Sequence, residues 1–508
     1  MTTSVPVVLA IDLGTGGPKA ALVDVAGRVL ASSHAPVVTY MGPDGAAEQD
    51  PHEIWDAVIH ACAHLWQSAS ARAVQVRAVA CTSQYFSSIP VAADGLPVGP
   101  CLTWLDTRGG AWSAAKLTAD ALDRWLERSG LFPLPSGNDP AGHVAWWQAQ
   151  HPEVVEAARA FVEPVDYLTA RCTGRVTATP ATTYGLHAVD LRRWDTRHYD
   201  PELVADVGLD ITRLAPLVDP DAVVGELTSA AAADLGAPVG IPVVAGTLDA
   251  VSGAVGVGAT DIGRVGVVVG TTAVIVGHVG SFRTDLGHAV LSVPSPITDR
   301  FALLAENGLG GRAIDWVIGQ VLGSGTASSP AAMLDHASFE AAARSVPAGA
   351  EGVMFLPWLR GTIAPRPDDD ASGTFVGFGL HHDRRHIARA VLEGVALNLA
   401  WALPAVSDLI GRPMEPSVRL AGGVALSEVF AQSLADALGR PVERLARPRS
   451  VNARGAGVLA WHSVGEIDLV HAPPPEIEHV HEPDPSAAPR IAQRLARLDD
   501  LLTHTHRL

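Results

Sequence analysis

Two short Gly-Thr segments, about half a chain apart, carry the first chemical signal. Asp12, Gly14 and Thr15 end an apolar run, and Lys19 stands just beyond. A phosphate needs backbone N–H groups at close range, which glycine turns permit, and a hydroxyl and a cation strengthen the grip. Asp12 at a strand end suits Mg²⁺ held through water, because that ion keeps most of its hydration shell. The segment is not a Walker A loop: Pro18 precedes Lys19 and Ala20 follows it. Taken alone, the same residues also suit a plain hairpin. The second segment is Gly270-Thr271-Thr272, set between two apolar runs. Facing turns of this kind, one in each half of the chain, can grip a polyphosphate from both sides.

Asp249 follows an apolar run and opens a stretch of small residues. A carboxylate at a strand's C-terminal edge is where α/β proteins site their chemistry. Phosphoryl transfer to a hydroxyl uses such a group to accept the proton. The position serves equally as a helix N-cap. Further on, Gly422 and Gly423 follow a short strand, and Ser427 caps a helix that Gly439 ends. Glycines there let a flat adenine ring lie against the backbone, or are ordinary loop glycines. Gly308-Leu309-Gly310-Gly311-Arg312-Ala313 fits G-x-G-x-x-A. A dinucleotide site needs a βαβ unit next, and a polar Gly- and Ser-rich loop over 323–330 stands there instead.

These residues require particular elements to hold them. The spacing predicts a strand over 5–12, a Gly-rich turn over 13–17, a strand over 20–25 and a third beginning at 28. A helix over 51–67 and a strand over 76–83 follow, then helices over 120–129, 142–150 and 152–161. Near 242 the pattern restarts: a strand over 242–245, a tightly packed helix over 250–259, and strands over 264–270 and 273–279 around the second Gly-Thr turn. A weak internal duplication accounts for the restart. The stretch from 472 on, rich in Pro, Glu and His, reads as a tail or peripheral element with a short amphipathic helix.

Composition narrows the class. The chain has 508 residues, enough for two domains, and is 48% hydrophobic and 18% charged, as a globular protein is. A net charge of −18 argues against nucleic acid as a partner. Cys62, Cys81, Cys101 and Cys172 lack metal-finger spacing and read as buried free thiols in a reducing compartment. No leader-like N-terminus and no run of membrane-spanning length is apparent, so a cytoplasmic protein is expected.

The combination resembles the FGGY carbohydrate kinases, within the actin/Hsp70/hexokinase ATPase superfamily, over roughly residues 7–465. The segments that carry it are I-D-L-G-T…K-A at 11–20, A-E-Q-D-P at 47–51, W-L-D-T-R at 104–108 and D-Y-L-T…T-G at 166–174. G-I-P-V-V-A-G-T-L-D at 240–249, F-L-P-W-L-R-G at 355–361, R-A-V-L-E-G-V-A at 389–396 and L-A-G-G-V-A-L-S at 420–427 complete the set. Their order and spacing make the set specific.

The resemblance implies an α/β fold of two RNase H-like domains with mixed sheets flanked by helices and the active site between them. An N-terminal domain over 1–247, a C-terminal domain over 248–470 and a tail over 471–508 are expected. It implies ATP and Mg²⁺, with Asp12, Gly14, Thr15 and Lys19 in the first phosphate and metal loop, and Gly270, Thr271 and Thr272 in the second. Gly422, Gly423 and Ser427 match the adenosine side. Asp249 matches the catalytic base, adjoining both metal and sugar. Gln84, Trp104 and Asp106 match the sugar-facing region. A homodimer is a family-level expectation.

The flavour is xylulokinase-like, with departures. Gln84-Tyr85-Phe86-Ser87 replaces Q-M-H-G, Trp104-Leu105-Asp106 replaces W-N-D, and Ala250 replaces the Asn after the base. Hydrogen-bonding groups are lost and aromatic ones gained where polar readout sets specificity. A ketopentose such as xylulose is the expected acceptor, with ribulose, gluconate, glycerol and erythritol as alternatives. An actin/Hsp70-like nucleotide switch without sugar chemistry is the alternative of another class.

Overall fold

The computed structural model describes residues 4–323 and 335–506. Two mixed sheets organise them. In the first, Val5–Gly14 is central. Gly17–Asp24 and then Val29–His34 extend the sheet antiparallel on one side. Val74–Ser83 pairs parallel on the other, followed outward by Pro242–Val244 and Val223–Glu226. A parallel neighbour needs a crossover, and the helix Pro51–Trp66 lies within it.

The second sheet repeats this plan. Val265–Val269 is central, and Thr272–Val279, Phe301–Leu309 and Val290–Pro294 follow antiparallel. Val418–Ala421 and Val442–Leu445 pair parallel on the other side. The fold is thus two-domain α/β, with a Gly-Thr hairpin at the same place in each sheet.

Side-chain alternation builds the layers around the first sheet. Leu9, Ile11 and Leu13 share a core with Ile54 and Val58 of the helix Pro51–Trp66. Val8 and Ala10 share one with Val458, Leu459 and Trp461 of the helix Val451–Ser463, which comes from the far end of the chain. That helix also crosses Asp249–Gly256 at close range. A Cβ on Gly455 would lie 1.8 Å from the Ser252 oxygen, so only glycine permits the crossing. The small residues after Asp249 are therefore a packing requirement, as the sequence suggests.

Three expectations are revised. The helix over 152–161 stops at Ala157, and Ala160–Val162 is a strand paired with Ile89–Val91. The first turn is shorter than 13–17: Gly14 pairs with Gly17, leaving Thr15 and Gly16 as its tip. The stretch 471–508 is no loose tail. Ile477–His481 forms the edge of the second sheet, and Leu498 and Leu502 enter its core. All four cysteines are buried and free of disulfides. Arg384–Ile410 is the one described helix long and apolar enough to cross a membrane, and most of it is buried inside the protein.

Candidate active site

Each Gly-Thr turn is held by its own sheet. Gly17 has φ 123°, and a Cβ there would come within 2.1 Å of the Ala35 oxygen, so glycine is required where the first hairpin returns. In the second turn the Gly270 N–H donates to the Thr272 oxygen at 2.9 Å. The Gly310 and Gly311 N–H groups donate to the Thr271 and Gly270 oxygens at 3.1 and 2.8 Å. The G-x-G-x-x-A run is therefore a backbone buttress for this turn. Gly422, at φ 96°, packs beneath it, where a Cβ would meet the Val269 oxygen at 2.2 Å.

The two turns open into one cavity of about 920 Å³. Thr15 and Gly16 line one side and Gly270 and Thr271 the other, with Gly423 and Ser427 further along. Trp104, Arg312, Glu340 and Arg449 also line it. Gly14, Thr272 and Gly422 are not part of this lining. The Ser427 hydroxyl donates to Glu340 at 2.6 Å and accepts from the Phe430 N–H at 2.9 Å, so it both caps its helix and anchors Glu340.

A cluster of acidic groups lies outside this lining and is linked to it along the chain by Asp12, three residues before Thr15. Asp12 is buried; one oxygen accepts from Lys19 at 3.3 Å and the other, Oδ1, has no hydrogen-bond partner among the described residues. Asp249 opens the helix Asp249–Gly256 immediately after Thr247–Leu248, which is paired with Val74–Ser83. Leu248, not Asp249, holds the N-cap position, which removes the simple capping account. Burial pushes the Asp249 carboxyl well above the usual carboxylate range, and the charges of Asp12 and Glu306 push it further. The Ala250 N–H and Lys19 oppose that shift.

Glu306 was not singled out from the sequence. It ends an apolar run in Phe301–Leu309, as Asp12 ends its own, and that shared signal could have found it. Burial raises its carboxyl to about 7, and the hydroxyl of Tyr85 donates to it at 2.5 Å. Glu163 was missed too. It accepts from the Phe86 and Ser87 N–H groups at 2.9 and 3.0 Å and so clamps the loop that presents Tyr85.

The three residues expected to face a sugar behave differently. Gln84 is buried, accepts from the Thr15 hydroxyl at 2.6 Å and donates to Gln49 at 3.1 Å. The Trp104 indole N–H donates to the same Thr15 hydroxyl at 3.0 Å. Both side chains hold the first turn, though Trp104 still lines the cavity. Asp106 is fully buried, with Oδ2 accepting from the Ala47 N–H at 2.9 Å and from Arg108 at 2.7 Å, and Oδ1 from the Arg108 N–H at 3.1 Å. Arg108 in turn stacks over Trp146 at 3.9 Å. Asp106 is thus a structural ion-pair partner, with no oxygen spare for an acceptor hydroxyl.

Comparison with known proteins identifies the family. The pattern of the N-terminal domain of the FGGY family of carbohydrate kinases matches residues 7–256, and that of its C-terminal domain matches 265–464. A gluconokinase of Bacillus licheniformis is 26% identical over 477 residues, covering 91% of this chain and 88% of that protein. A xylulose kinase of Streptomyces coelicolor is 30% identical over 466 residues, covering 90% and 87%. The structure of a gluconate kinase from Lactobacillus acidophilus superposes with a TM-score of 0.82 at 23% identity, covering 99% of this chain and 98% of that one. The chain belongs to the FGGY family of carbohydrate kinases.

Proposed function

We propose that this kinase transfers the γ-phosphoryl group of ATP to a hydroxyl of a ketopentose such as xylulose, with Asp249 as the general base. The observation that carries the proposal is the convergence of both Gly-Thr turns on one cavity, with Asp249 close enough to Asp12, on the strand that leads into the first turn, to feel its charge. Thr15, Gly270 and Thr271 cradle the phosphates. Gly423 and Ser427 flank the adenosine. Lys19, beside Asp12, contributes positive charge near the transferring group. A carboxyl held above its usual pKa is a better proton acceptor than an exposed Asp, and Asp249 takes the proton as the hydroxyl oxygen attacks phosphorus.

The donor set suits Mg²⁺. Asp12 and Asp249 are hard oxygen donors, and the unpartnered Oδ1 of buried Asp12 is the kind of atom that a hydrated Mg²⁺ satisfies. When bound, that ion supplies neutralising charge to the phosphate oxygens. ADP release across pentuloses, hexuloses, sugar acids and polyols tests the reading, with and without a chelator. Activity that depends on a pentulose and on Mg²⁺ supports it; ATP hydrolysis that no sugar or polyol accelerates overturns it.

A further inference from the structure

We propose that Glu306 and Tyr85 form the contact that selects the acceptor, reading a hydroxyl of a neutral sugar or polyol and turning away a sugar acid. The proposal rests on the kinase reading above and deepens it. Tyr85 follows Val74–Ser83 of the first sheet, whereas Glu306 lies in Phe301–Leu309 of the second, so their 2.5 Å hydrogen bond joins the two domains. Each partner is fixed from behind. Glu163 holds the backbone of Phe86, whose φ is 58°, and Asn307, next to Glu306, exchanges hydrogen bonds of 2.8 to 3.0 Å with Asn398. Ser83, two residues before Tyr85, is the register partner of Leu248, the residue before Asp249, which puts the pair beside the proposed base.

The chemistry of the pair sets its preference. Among the described residues the second oxygen of Glu306 accepts no hydrogen bond. It can accept a hydrogen bond from an incoming hydroxyl, while the Tyr85 oxygen can accept another. A sugar carboxylate arriving there would meet Glu306, Asp249 and Asp12. Lys19 is the cation that acts on Asp249, and it is already bound to Asp12 at 3.3 Å. The carboxylate would lose its water without gaining a free partner. A buried site built to hydrogen-bond a hydroxyl also discriminates steeply, since its polar groups stay unpaired otherwise.

The test is calorimetric titration of wild type, Glu306→Gln and Tyr85→Phe, without nucleotide, with D-xylulose, D-ribulose, glycerol, erythritol and D-gluconate. ADP release with the same compounds runs alongside. In wild type at least one neutral compound binds about 100-fold more tightly than gluconate. Glu306→Gln cuts that preference at least about tenfold, and Tyr85→Phe, which keeps every charge, weakens the neutral acceptor about fivefold. Gluconate binding as tightly as every neutral compound, no binding by any neutral compound, or an unchanged preference in both variants overturns the proposal. Glu306-dependent binding without ADP release would instead sink the kinase reading and leave the contact standing. ADP release with gluconate alone would overturn both the contact and the ketopentose acceptor, and leave only the phosphoryl transfer standing.

Discussion

The hydroxyl of Thr15 donates to the side-chain oxygen of Gln84 at 2.6 Å. Gln84 donates in turn to Gln49, whose amide donates to the Thr15 carbonyl at 2.9 Å. This closed loop of bonds holds the first Gly-Thr turn in one shape. The Gln84→Ala variant should therefore raise the KM for ATP about five- to tenfold, the worth of one buried hydrogen bond, with a smaller change in the acceptor KM. Steady-state kinetics varying each substrate separately decides the matter. A change confined to the acceptor KM would return Gln84 to the sugar side.

Asp249→Asn keeps the shape of the side chain and removes its basicity. The variant should fold, bind ATP, and lose about 10²- to 10⁴-fold in kcat. Circular dichroism and nucleotide titration establish folding and binding, and a kcat within threefold of wild type removes Asp249 from the base role.

Two adjacent glycines should respond in opposite ways. Gly422→Ala forces a Cβ toward the Val269 oxygen at a left-handed φ and should cost more than about 1 kcal/mol of stability. Gly423→Ala meets nothing within 4 Å but narrows the cavity, so stability should hold while the KM for ATP rises. Thermal melts and kinetics on both variants distinguish the two roles.

His278 is buried, with Nδ1–H donating to the Ala259 oxygen at 2.6 Å and Nε2 accepting from the Ser295 hydroxyl at 2.9 Å. Burial lowers its pKa from 6.5 to about 4. The unfolded chain therefore binds the proton first as pH falls. The stability this neutral imidazole contributes is complete above pH 6.5 and is lost between 6.5 and 4, by roughly 3 kcal/mol at most. Melting curves across that window should fall more steeply for wild type than for His278→Gln. Parallel curves would assign the acid sensitivity to other groups.

Arg494, from the stretch expected to be peripheral, pairs with Glu393 at 2.8 Å, and both are buried. Removing one partner of a buried pair costs about 3–5 kcal/mol. The Arg494→Met variant should sit at the low end, because Arg389 still holds Glu393 at 2.7 Å. Denaturant titration showing less than about 1 kcal/mol would make this ion pair dispensable.

Local features were legible in the chain. Asp12, Thr15 and the Gly270-Thr271 turn announce themselves because glycine conformation and strand periodicity act over a few residues. The repeated strand, turn and strand also foretold two related sheets. Partners remote in sequence were not legible. Gln84 and Asp106 carry the residue types of a sugar site, yet their hydrogen bonds go to Thr15 and Arg108, within the protein. Tyr85 and Glu306 stand 221 positions apart and meet only because the two sheets do. The stretch from 472 on read as a tail or peripheral element for the same reason: its composition suits an edge, and only packing reveals that Leu498, Leu502 and Arg494 are buried. Sequence thus determined where the two Gly-Thr turns lie. Tertiary structure decided which polar side chains were spent on holding those turns, because a hydrogen bond satisfied inside the protein is no longer offered to a ligand.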